Sequence, residues 1–223
     1  MSKNIFITAT GTDIGKTYVS ALIVKKMREC GFDCGYFKPV LSGVVEKDGK
    51  LVESDCNYVV NTAKIPTSAD DCVAYWWKEA VSPHLAAKRA GMEIDINHIK
   101  SEFVKKNKEY DYLLIEGAGG ITCPLRLENG EKYILKDLIK ELQAPIVIVA
   151  DGGLGTINST LLTVEYAKAN GIKVAGIILN NYNTDSFMQQ DNLKQVEYLT
   201  GVKVVATVGK NQNDITLLKD LFE

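Results

Sequence analysis

An apolar run, a glycine- and threonine-rich turn and an amphipathic stretch follow one another near the start of this 223-residue chain. Residues 5–9 form the apolar run, and residues 10–17 read T-G-T-D-I-G-K-T. The next stretch has apolar residues at positions 19, 22, 23 and 27, a helical spacing, and Gly31 supplies a stop signal. A strand that passes through such a turn into a helix predicts a phosphate loop.

The chemistry of this turn favours a nucleoside triphosphate with its magnesium. Backbone N–H groups and the positive end of the helix bind phosphates in such a loop. Lys16 would reach the β- and γ-phosphates, and Thr17 would give its hydroxyl to magnesium. The usual pattern begins with a glycine where this chain has Thr10, and Gly11 follows one place later, so the loop is a variant. The alternative is an ordinary strand–helix turn that contains Gly-Lys-Thr by chance.

The rest of the chain alternates apolar runs with helical patterns. Several runs are apolar on both faces, which is typical of a parallel sheet covered by helices on both sides. We therefore expect one doubly wound α/β domain over residues 1–223, with a mostly parallel central sheet, of the P-loop NTPase type. Further strands are predicted at 34–37 (ended by Pro39), 112–115, 144–150, 174–179 and 202–208. Further helices are predicted at 56–60, 84–90, 94–106, 135–142, 157–169, 188–199 and 214–222.

The ends of the predicted strands are where a ligand is expected. In open parallel sheets, ligands bind beyond the carboxyl ends of the strands. Each such end here is glycine-rich or polar, and these ends are residues 10–15, 38–43, 116–120, 151–155 and 180–181. Topology and composition thus point to the same edge of the sheet.

Two of these ends carry charged side chains. Glu116 begins E-G-A-G-G, and a carboxylate beside a phosphate loop can hold magnesium while the glycines let the backbone approach the phosphates. Lys38 begins K-P-V-L-S-G, and a lysine there can neutralise a transferring phosphoryl group or an anionic substrate. The alternatives are a tight turn with an exposed glutamate, and a surface lysine before a turn.

Three further positions have both a functional and a structural interpretation. Asp55 lies in a polar loop that can return over the site, although an isolated aspartate is far more often solvent-exposed or a helix cap. The residues D-G-G-L-G-T at 151–156 precede a helix and can bind an anion, or they serve only to reverse the chain. Asn180 ends a strand, where its amide reads an adenine edge or simply forms a turn.

Composition excludes several other functions. The net charge of −2 and the pI of about 5.8 argue against nucleic acid as the main partner. No apolar run approaches membrane length. Five cysteines without a C-x-x-C pair and only two histidines argue against structural zinc and favour reduced thiols. The chain starts Met-Ser-Lys-Asn without the apolar region of a signal peptide, so we expect a cytoplasmic protein.

Taken together, the motifs resemble the dethiobiotin synthetase family over nearly the whole chain, and the resemblance weakens after residue 181. It rests on T-G-T-D-I-G-K-T, K-P-V-L-S-G, Ser54-Asp55, S-P-H-L-A at 82–86, E-G-A-G-G and L-G-T-I-N at 154–158. The resemblance implies that 7,8-diaminononanoate, CO2 and ATP give dethiobiotin, ADP and phosphate through a carbamate and a carbamic-phosphoric anhydride. It also implies Mg2+ and a homodimer with shared active sites.

The same resemblance implies a role for each matching residue. Lys16 and Lys38 would stabilise charge on the phosphoryl group and the carbamate, and Thr12 and Ser42 would contact the carbamate and the diamine. The remaining roles cover metal, nucleotide and carboxylate: Thr17, Asp55 and Glu116 for magnesium; Thr12, Asp13, Ile14, Gly15, Lys16, Thr17, Asp55, Glu116, Gly117, Ala118 and Gly119 for the triphosphate and its metal; Asn180 for adenine; and Gly155, Thr156, Ile157 and Asn158 for the carboxylate of a substrate bound mainly to the other subunit.

Three alternatives stay open at the level of sequence. A partitioning or positioning P-loop ATPase would have a lysine at the position of Gly11 and a basic or amphipathic surface, which this chain lacks. Another amidoligase or kinase of the same fold would differ in its acceptor, and only the motifs at 38–43 and 154–158 speak against it. A non-enzymatic nucleotide-binding module would leave Lys38, Ser42 and Asp55 without a purpose. The chain departs from the family at 207–211, where a proline that contacts the base is absent.

Overall fold

The computed structural model describes residues 3–127 and 130–216. The strands in that part of the chain are β1 (Lys3–Ala9), β2 (Cys34–Ser42), β3 (Val45–Lys47), β4 (Lys50–Glu53), β5 (Val73–Trp77), β6 (Tyr112–Glu116), β7 (Pro124–Arg126), β8 (Tyr133–Ile134), β9 (Ile146–Asp151), β10 (Val174–Asn180) and β11 (Val204–Thr207). The α-helices are α1 (Lys16–Glu29), α2 (Asp55–Ala63), α3 (Pro83–Arg89), α4 (Ile96–Glu109), α5 (Leu135–Leu142), α6 (Thr156–Ala169) and α7 (Phe187–Thr200).

Seven of the strands form one sheet in the order β11-β10-β9-β1-β6-β2-β5, and every pairing in it is parallel. β1 lies in the middle because its residues are apolar on both faces and therefore need cover on both sides. Ile5 and Ile7 point into the core that contains α1 and α2, whereas Phe6 points into the core that contains α3 to α7. The predicted α/β architecture, with a parallel sheet between helices, is confirmed.

The prediction that Pro39 ends the second strand is wrong. β2 continues through Pro39 to Ser42, and its pairing changes on the way. It pairs with β6 from Cys34 to Phe37 and with β5 from Lys38 onward. Since the later half has only one neighbouring strand, a residue without an N–H donor is tolerated there. This extension places Lys38 level with Glu116, the last residue of β6, and carries Ser42 beyond it.

Three strand regions were not predicted, and one of them is the antiparallel pair of β7 and β8. β5 falls within residues 62–81, which showed no clear sequence pattern, and a short 3-10 helix at Asp70–Cys72 precedes it. The polar stretch before α2 folds into the antiparallel hairpin β3–β4, with the Asp48-Gly49 pair at its turn. The last predicted helix, 214–222, has residues 214–216 outside any helix, and the remainder lies outside the described residues.

No helix in the described ranges is both long enough and apolar enough to cross a membrane.

Candidate active site

The glycine- and threonine-rich turn connects β1 to α1, as predicted. Gly15 is the N-cap of α1 with φ of 91°, and no side chain caps the helix, so its first N–H groups remain available to an anion. A Cβ on residue 15 would lie 2.2 Å from Nδ2 of Asn180. Glycine is therefore required here both by the backbone angle and by the close approach of β10.

A cavity of about 750 Å3 opens over the carboxyl ends of β1, β2 and β6. The hairpin β3–β4 and the start of α2 form its outer wall. Most of the residues predicted for the site line this cavity: Thr12, Asp13, Gly15, Lys16, Thr17, Lys38, Ser42, Asp55, Glu116, Ala118 and Gly119. The cavity is also lined by Tyr18, Val45, Glu53 and Tyr58, which the sequence did not single out.

Lys38 joins two carboxylates at the wall of the cavity. Its Nζ lies 2.5 Å from Oδ2 of Asp55 and 2.5 Å from Oε1 of Glu116. The lysine and Glu116 are buried, whereas the Asp55 side chain is 38% exposed. Burial lowers the pKa of Lys38, but the charges of Glu116 and Asp55 outweigh that effect and raise it overall. Lys38 is therefore a permanent ammonium.

The start of α2 explains how Asp55 reaches this cluster. Ser54 is the N-cap of α2, and its hydroxyl accepts a hydrogen bond of 3.2 Å from the N–H of Asn57. The structure thus gives the capping role to Ser54 and leaves the Asp55 carboxylate facing Lys38.

Glu116 accepts hydrogen bonds on both of its oxygens. Thr17 donates from Oγ1 to Oε1 at 2.8 Å, the oxygen that Lys38 also contacts. Tyr36 donates from its hydroxyl to Oε2 at 3.0 Å. Burial first, and the charge of Glu116 second, raise the pKa of Tyr36 well above its usual value, so this hydroxyl keeps its proton. Tyr36 was not predicted from the sequence, although its position two residues before Lys38 on one strand places both side chains on the same face.

Lys16 supplies a second ammonium at the mouth of the loop. It is buried, and its Nζ donates to the carbonyl of Gly11 at 3.3 Å. Burial and then the nearby charge of Lys38 lower the pKa of Lys16, while Glu116 and Asp55 partly oppose the shift. Two ammonium groups and a helix N-terminus thus converge where an anion would lie.

The donor set suits a magnesium ion that arrives with a nucleotide. Thr17, Asp55 and Glu116 offer a hydroxyl and two carboxylates, which are the oxygen ligands this hard cation prefers. Nowhere in residues 3–127 and 130–216 do three or more His, Cys, Asp or Glu side chains form a group able to hold a metal alone. Because magnesium is usually held by one or two carboxylates together with substrate phosphates, this incomplete set fits.

Three of the residues predicted to bind nucleotide do not line the cavity. The carbonyl of Ile14 accepts a hydrogen bond of 2.8 Å from Nδ2 of Asn180, which ties the loop to the end of β10. Oδ1 of Asn180 is buried and has no partner within the described part of the chain. Gly117 is tightly packed, since a Cβ there would lie 2.7 Å from the Leu135 side chain and 2.8 Å from Phe6.

The segment 155–158 lies apart from the cavity, at the N-terminus of α6. Gly155 is the N-cap with φ of 91°, and again no side chain caps the helix. Thr156 is buried, with its hydroxyl 3.3 Å from that of Thr160. Ile157 is partly buried and Asn158 is exposed. The structure therefore does not bring these four residues together with the rest of the predicted site in one chain.

The segment after β11, where the family's proline is missing, packs beside the start of α1. The hydroxyl of Tyr18 donates to the carbonyl of Gln212, and the N–H of Gly209 donates to Oε1 of Gln212 at 2.8 Å. Tyr18 also lines the cavity, so this segment is linked to the candidate site.

Comparison with known proteins gives the chain its family. A family model described as an AAA domain matches residues 3–214. A protein of Brachyspira hyodysenteriae named ATP-dependent dethiobiotin synthetase BioD is 48% identical over 100% of both chains. A protein of the same name from Clostridium botulinum is 47% identical over 97% of this chain and 95% of its own length.

Solved structures that resemble this one share its fold at low sequence identity. A ParA family ATPase from Chlorobium tepidum has a TM-score of 0.57 at 11% identity and covers 95% of this chain and 87% of its own. The MinC:MinD cell division protein complex of Aquifex aeolicus gives 0.56 at 13% identity, with 99% and 85% covered. These solved structures show only that the fold is shared. The two sequence relatives, by contrast, match over nearly the whole length of both chains. The resemblance read from the motifs is thus confirmed, and the chain belongs to the family of ATP-dependent dethiobiotin synthetases.

Proposed function

We propose that this chain carboxylates 7,8-diaminononanoate with CO2 and closes the ring of dethiobiotin, with conversion of ATP to ADP and phosphate. The name of its full-length relatives supports this reaction. The observation that carries the proposal is the cluster of Lys16, Lys38, Asp55 and Glu116 around the start of α1. In the proposed reaction, two cations and two carboxylates would lie where the triphosphate meets its acceptor.

The phosphate loop would hold the triphosphate through its backbone. Residues 12–17 lead into the uncapped start of α1, and Ala118 and Gly119 also line the cavity. Lys16 would neutralise charge on the β- and γ-phosphates. We assign the adenine contact to Asn180, because its buried Oδ1 has no partner among the described residues and suits an exocyclic amine.

Thr17, Asp55 and Glu116 would hold magnesium. When bound, the ion would neutralise phosphate charge and orient the terminal phosphoryl group. We propose this magnesium site because the three side chains offer only oxygen donors and leave room for phosphates. Lys38 touches both carboxylates and faces the cavity, so its ammonium would stabilise the anionic carbamate and the phosphoryl group.

The reaction balances without a redox partner. One amine adds to CO2 to give a carbamate and a proton. A carbamate oxygen then attacks the γ-phosphorus, and ADP leaves. The second amine attacks the carbamate carbon, phosphate leaves, and the ureido ring closes. Thr12 and Ser42 line the cavity beside the two lysines, and we propose that they contact the carbamate and the diamine.

We propose that the enzyme is a homodimer whose subunits share each site. Leu154 is 93% exposed, Leu162 on α6 is 63% exposed and Phe187 on α7 is 87% exposed, and a second copy of the chain would cover these apolar side chains. Gly155, Thr156, Ile157 and Asn158 lie away from the cavity of their own chain. In a dimer, the uncapped start of α6 would receive the substrate carboxylate bound to the partner.

We also propose that the protein works in the cytoplasm. All five cysteines are free, and three of them are buried. Such thiols suit a reducing compartment that supplies ATP.

The proposed reaction is tested by asking what ATP hydrolysis depends on. Purified protein is incubated with ATP and Mg2+, with and without the diamine and bicarbonate, and ADP and dethiobiotin are measured. We expect ADP to form in equal amounts with dethiobiotin and only when both co-substrates are present. Hydrolysis that ignores the diamine and is stimulated by DNA or lipid vesicles would instead favour a partitioning or positioning ATPase.

Sharing of the site is tested by mixing two variants that are each inactive at substrate concentrations near the wild-type KM. Lys38→Ala removes the lysine of a subunit's own cavity, and Gly155→Asp blocks the helix start that it offers to its partner. In random dimers half the molecules are hybrids with one intact site each, so the mixture should regain about a quarter of the wild-type activity. If hybrids form and no activity returns, the shared site is rejected.

A further inference from the structure

Tyr36 differs from the other side chains that contact Glu116, because no task is assigned to it. Three side chains in the described part of the chain donate to Glu116: Thr17 and Lys38 to Oε1, and Tyr36 to Oε2. In the proposed reaction, Thr17 has magnesium as its partner, and Lys38 has the carbamate and the phosphoryl group. The two side chains that contact Oε1 must therefore also bind magnesium or the substrates during the reaction.

The contact between Tyr36 and Glu116 is held by the sheet itself. Tyr36 lies opposite Leu114 in the parallel pairing of β2 with β6, and Glu116 follows two residues after Leu114. Residues two apart on a strand share a face, so the tyrosine ring points along the sheet towards the carboxylate. Both residues are buried, with Tyr36 1% and Glu116 0% exposed, and the ring packs among core side chains. The hydroxyl is thus fixed by packing on rigid elements.

We propose that Tyr36 is a positioning residue that sets the orientation of Glu116 for magnesium. By occupying Oε2 from within the core, it turns Oε1 towards the cavity, where Thr17 and Lys38 already contact it. The proposal rests on the assignment of Glu116 as a magnesium ligand. The hydrogen bond from Tyr36 to Oε2 would stay in place when magnesium and the substrates replace the contacts that Thr17 and Lys38 make to Oε1.

Removal of this hydroxyl should weaken the binding of magnesium and leave the binding of metal-free nucleotide unchanged. In Tyr36→Phe the ring still fills the core, but Oε2 loses its donor inside a buried site, so the carboxylate is free to rotate. Loss of an outer hydrogen bond to a metal ligand typically costs ten- to a hundredfold in metal affinity. Tyr36 is not among the residues that line the cavity, so the phosphate loop should bind metal-free nucleotide as before.

The experiment measures how much magnesium strengthens nucleotide binding. The dissociation constant of a non-hydrolysable ATP analogue is determined by calorimetry on the full-length protein, once in EDTA and once with saturating Mg2+. The ratio of the two constants is the coupling between metal and nucleotide. We expect Tyr36→Phe to lower this ratio about tenfold and to leave the value in EDTA unchanged.

Two further variants separate the possible failures. Tyr75→Phe is a matched control that removes a tyrosine hydroxyl from the edge strand β5, where the hydroxyl accepts from the N–H of Asp95 at 3.2 Å, and it should keep the wild-type ratio. Glu116→Gln should lower the ratio at least as much as Tyr36→Phe. If Tyr36→Phe keeps the wild-type ratio while Glu116→Gln lowers it, the positioning role is rejected while the metal site stands. If Glu116→Gln also keeps it, the metal site itself is rejected.

A purely structural role for Tyr36 predicts a different pattern. Damage to the core would weaken binding in EDTA and in Mg2+ by the same factor, and thermal unfolding would shift in parallel. That outcome would overturn the proposal, because a positioning residue changes only the binding that depends on magnesium.

Discussion

The two helices that begin at Gly15 and Gly155 have nearly the same start and very different surroundings. Both glycines have φ of 91°, and neither helix has a side-chain cap. The start of α1 lies in the cavity beside Lys16, Lys38 and Glu116. The start of α6 has no acidic side chain in its first turn and lies next to the exposed Leu154. The backbone therefore offers an anion site in both places, and only one is equipped for chemistry.

The two helix starts differ in whether they can contribute to binding alone or also to catalysis. An uncapped helix N-terminus carries about half a positive charge and attracts an anion equally in the ground state and the transition state. Acceleration requires groups that respond to charge as it develops, such as the ammonium of Lys16 or Lys38. We therefore expect changes at α1 to affect kcat and changes at α6 to affect KM.

The largest effect is expected from Lys16→Ala. The substitution removes the ammonium from the start of α1. The start of α1 then resembles that of α6, which is a helix N-terminus without a lysine. Loss of this contact should cost a few kcal/mol in the transition state, so kcat should fall roughly a hundredfold or more. Steady-state kinetics check this, with Lys25→Ala, a partly exposed lysine of α1, as the control. A folded Lys16→Ala protein with near-normal activity would reject the assignment.

Charge removal at the proposed magnesium site should have the next largest effect. Glu116→Gln and Asp55→Asn are each expected to raise the Mg2+ concentration for half-maximal rate, roughly tenfold or more for the buried Glu116. The effect should be smaller for Asp55, because its side chain is 38% exposed. Glu165→Gln on the surface of α6 serves as the matched control. An unchanged magnesium dependence in both site variants would show that these carboxylates do not share the ion.

Alanine at each capping glycine compares the two helix starts directly. A left-handed backbone angle costs alanine about 1–2 kcal/mol at either position. At Gly15 the new Cβ also meets Asn180, whereas at Gly155 it meets nothing within 4 Å. Gly15→Ala should therefore lose more free energy of unfolding and raise the dissociation constant of ATP about tenfold. Chemical denaturation and calorimetry measure both quantities, and equal losses in the two variants would contradict the comparison.

Local sequence patterns were sufficient for the elements that surround the first helix start. The apolar run of β1, the turn and the spacing of α1 lie within 30 residues and depend on little else, and Glu116 was expected from its place at a strand end. Tyr36 was missed because its partner Glu116 is 80 residues away, so only the pairing of β2 with β6 brings them together. The continuation of β2 through Pro39 depends equally on which strands adjoin it.

β5 and the second helix start show the same limit. The strand Val73–Trp77 follows an acidic segment and has no clean alternation, and it is a strand because β2 offers a free edge. For Gly155 the motif predicted the start of a helix, which the structure confirms, and an anion site there, which stays a prediction. The position of this helix start relative to the cavity depends on the whole fold. Whether it completes a second subunit's site stays a prediction.

The smallest effect is expected from a change in the substrate. Replacement of its carboxylate by an amide removes the charge that the start of α6 is proposed to hold, far from the reacting amines. A charge at a helix N-terminus contributes about 0.3–1 kcal/mol, so KM should rise about two- to fivefold. Because this binding is the same before and during the reaction, kcat should change little. Lys38→Ala provides the contrast, since it should lower kcat with either substrate. If the amide lowered kcat while KM stayed constant, the carboxylate would act at the reacting centre. The assignment of binding to the start of α6 and of catalysis to the start of α1 would then be rejected.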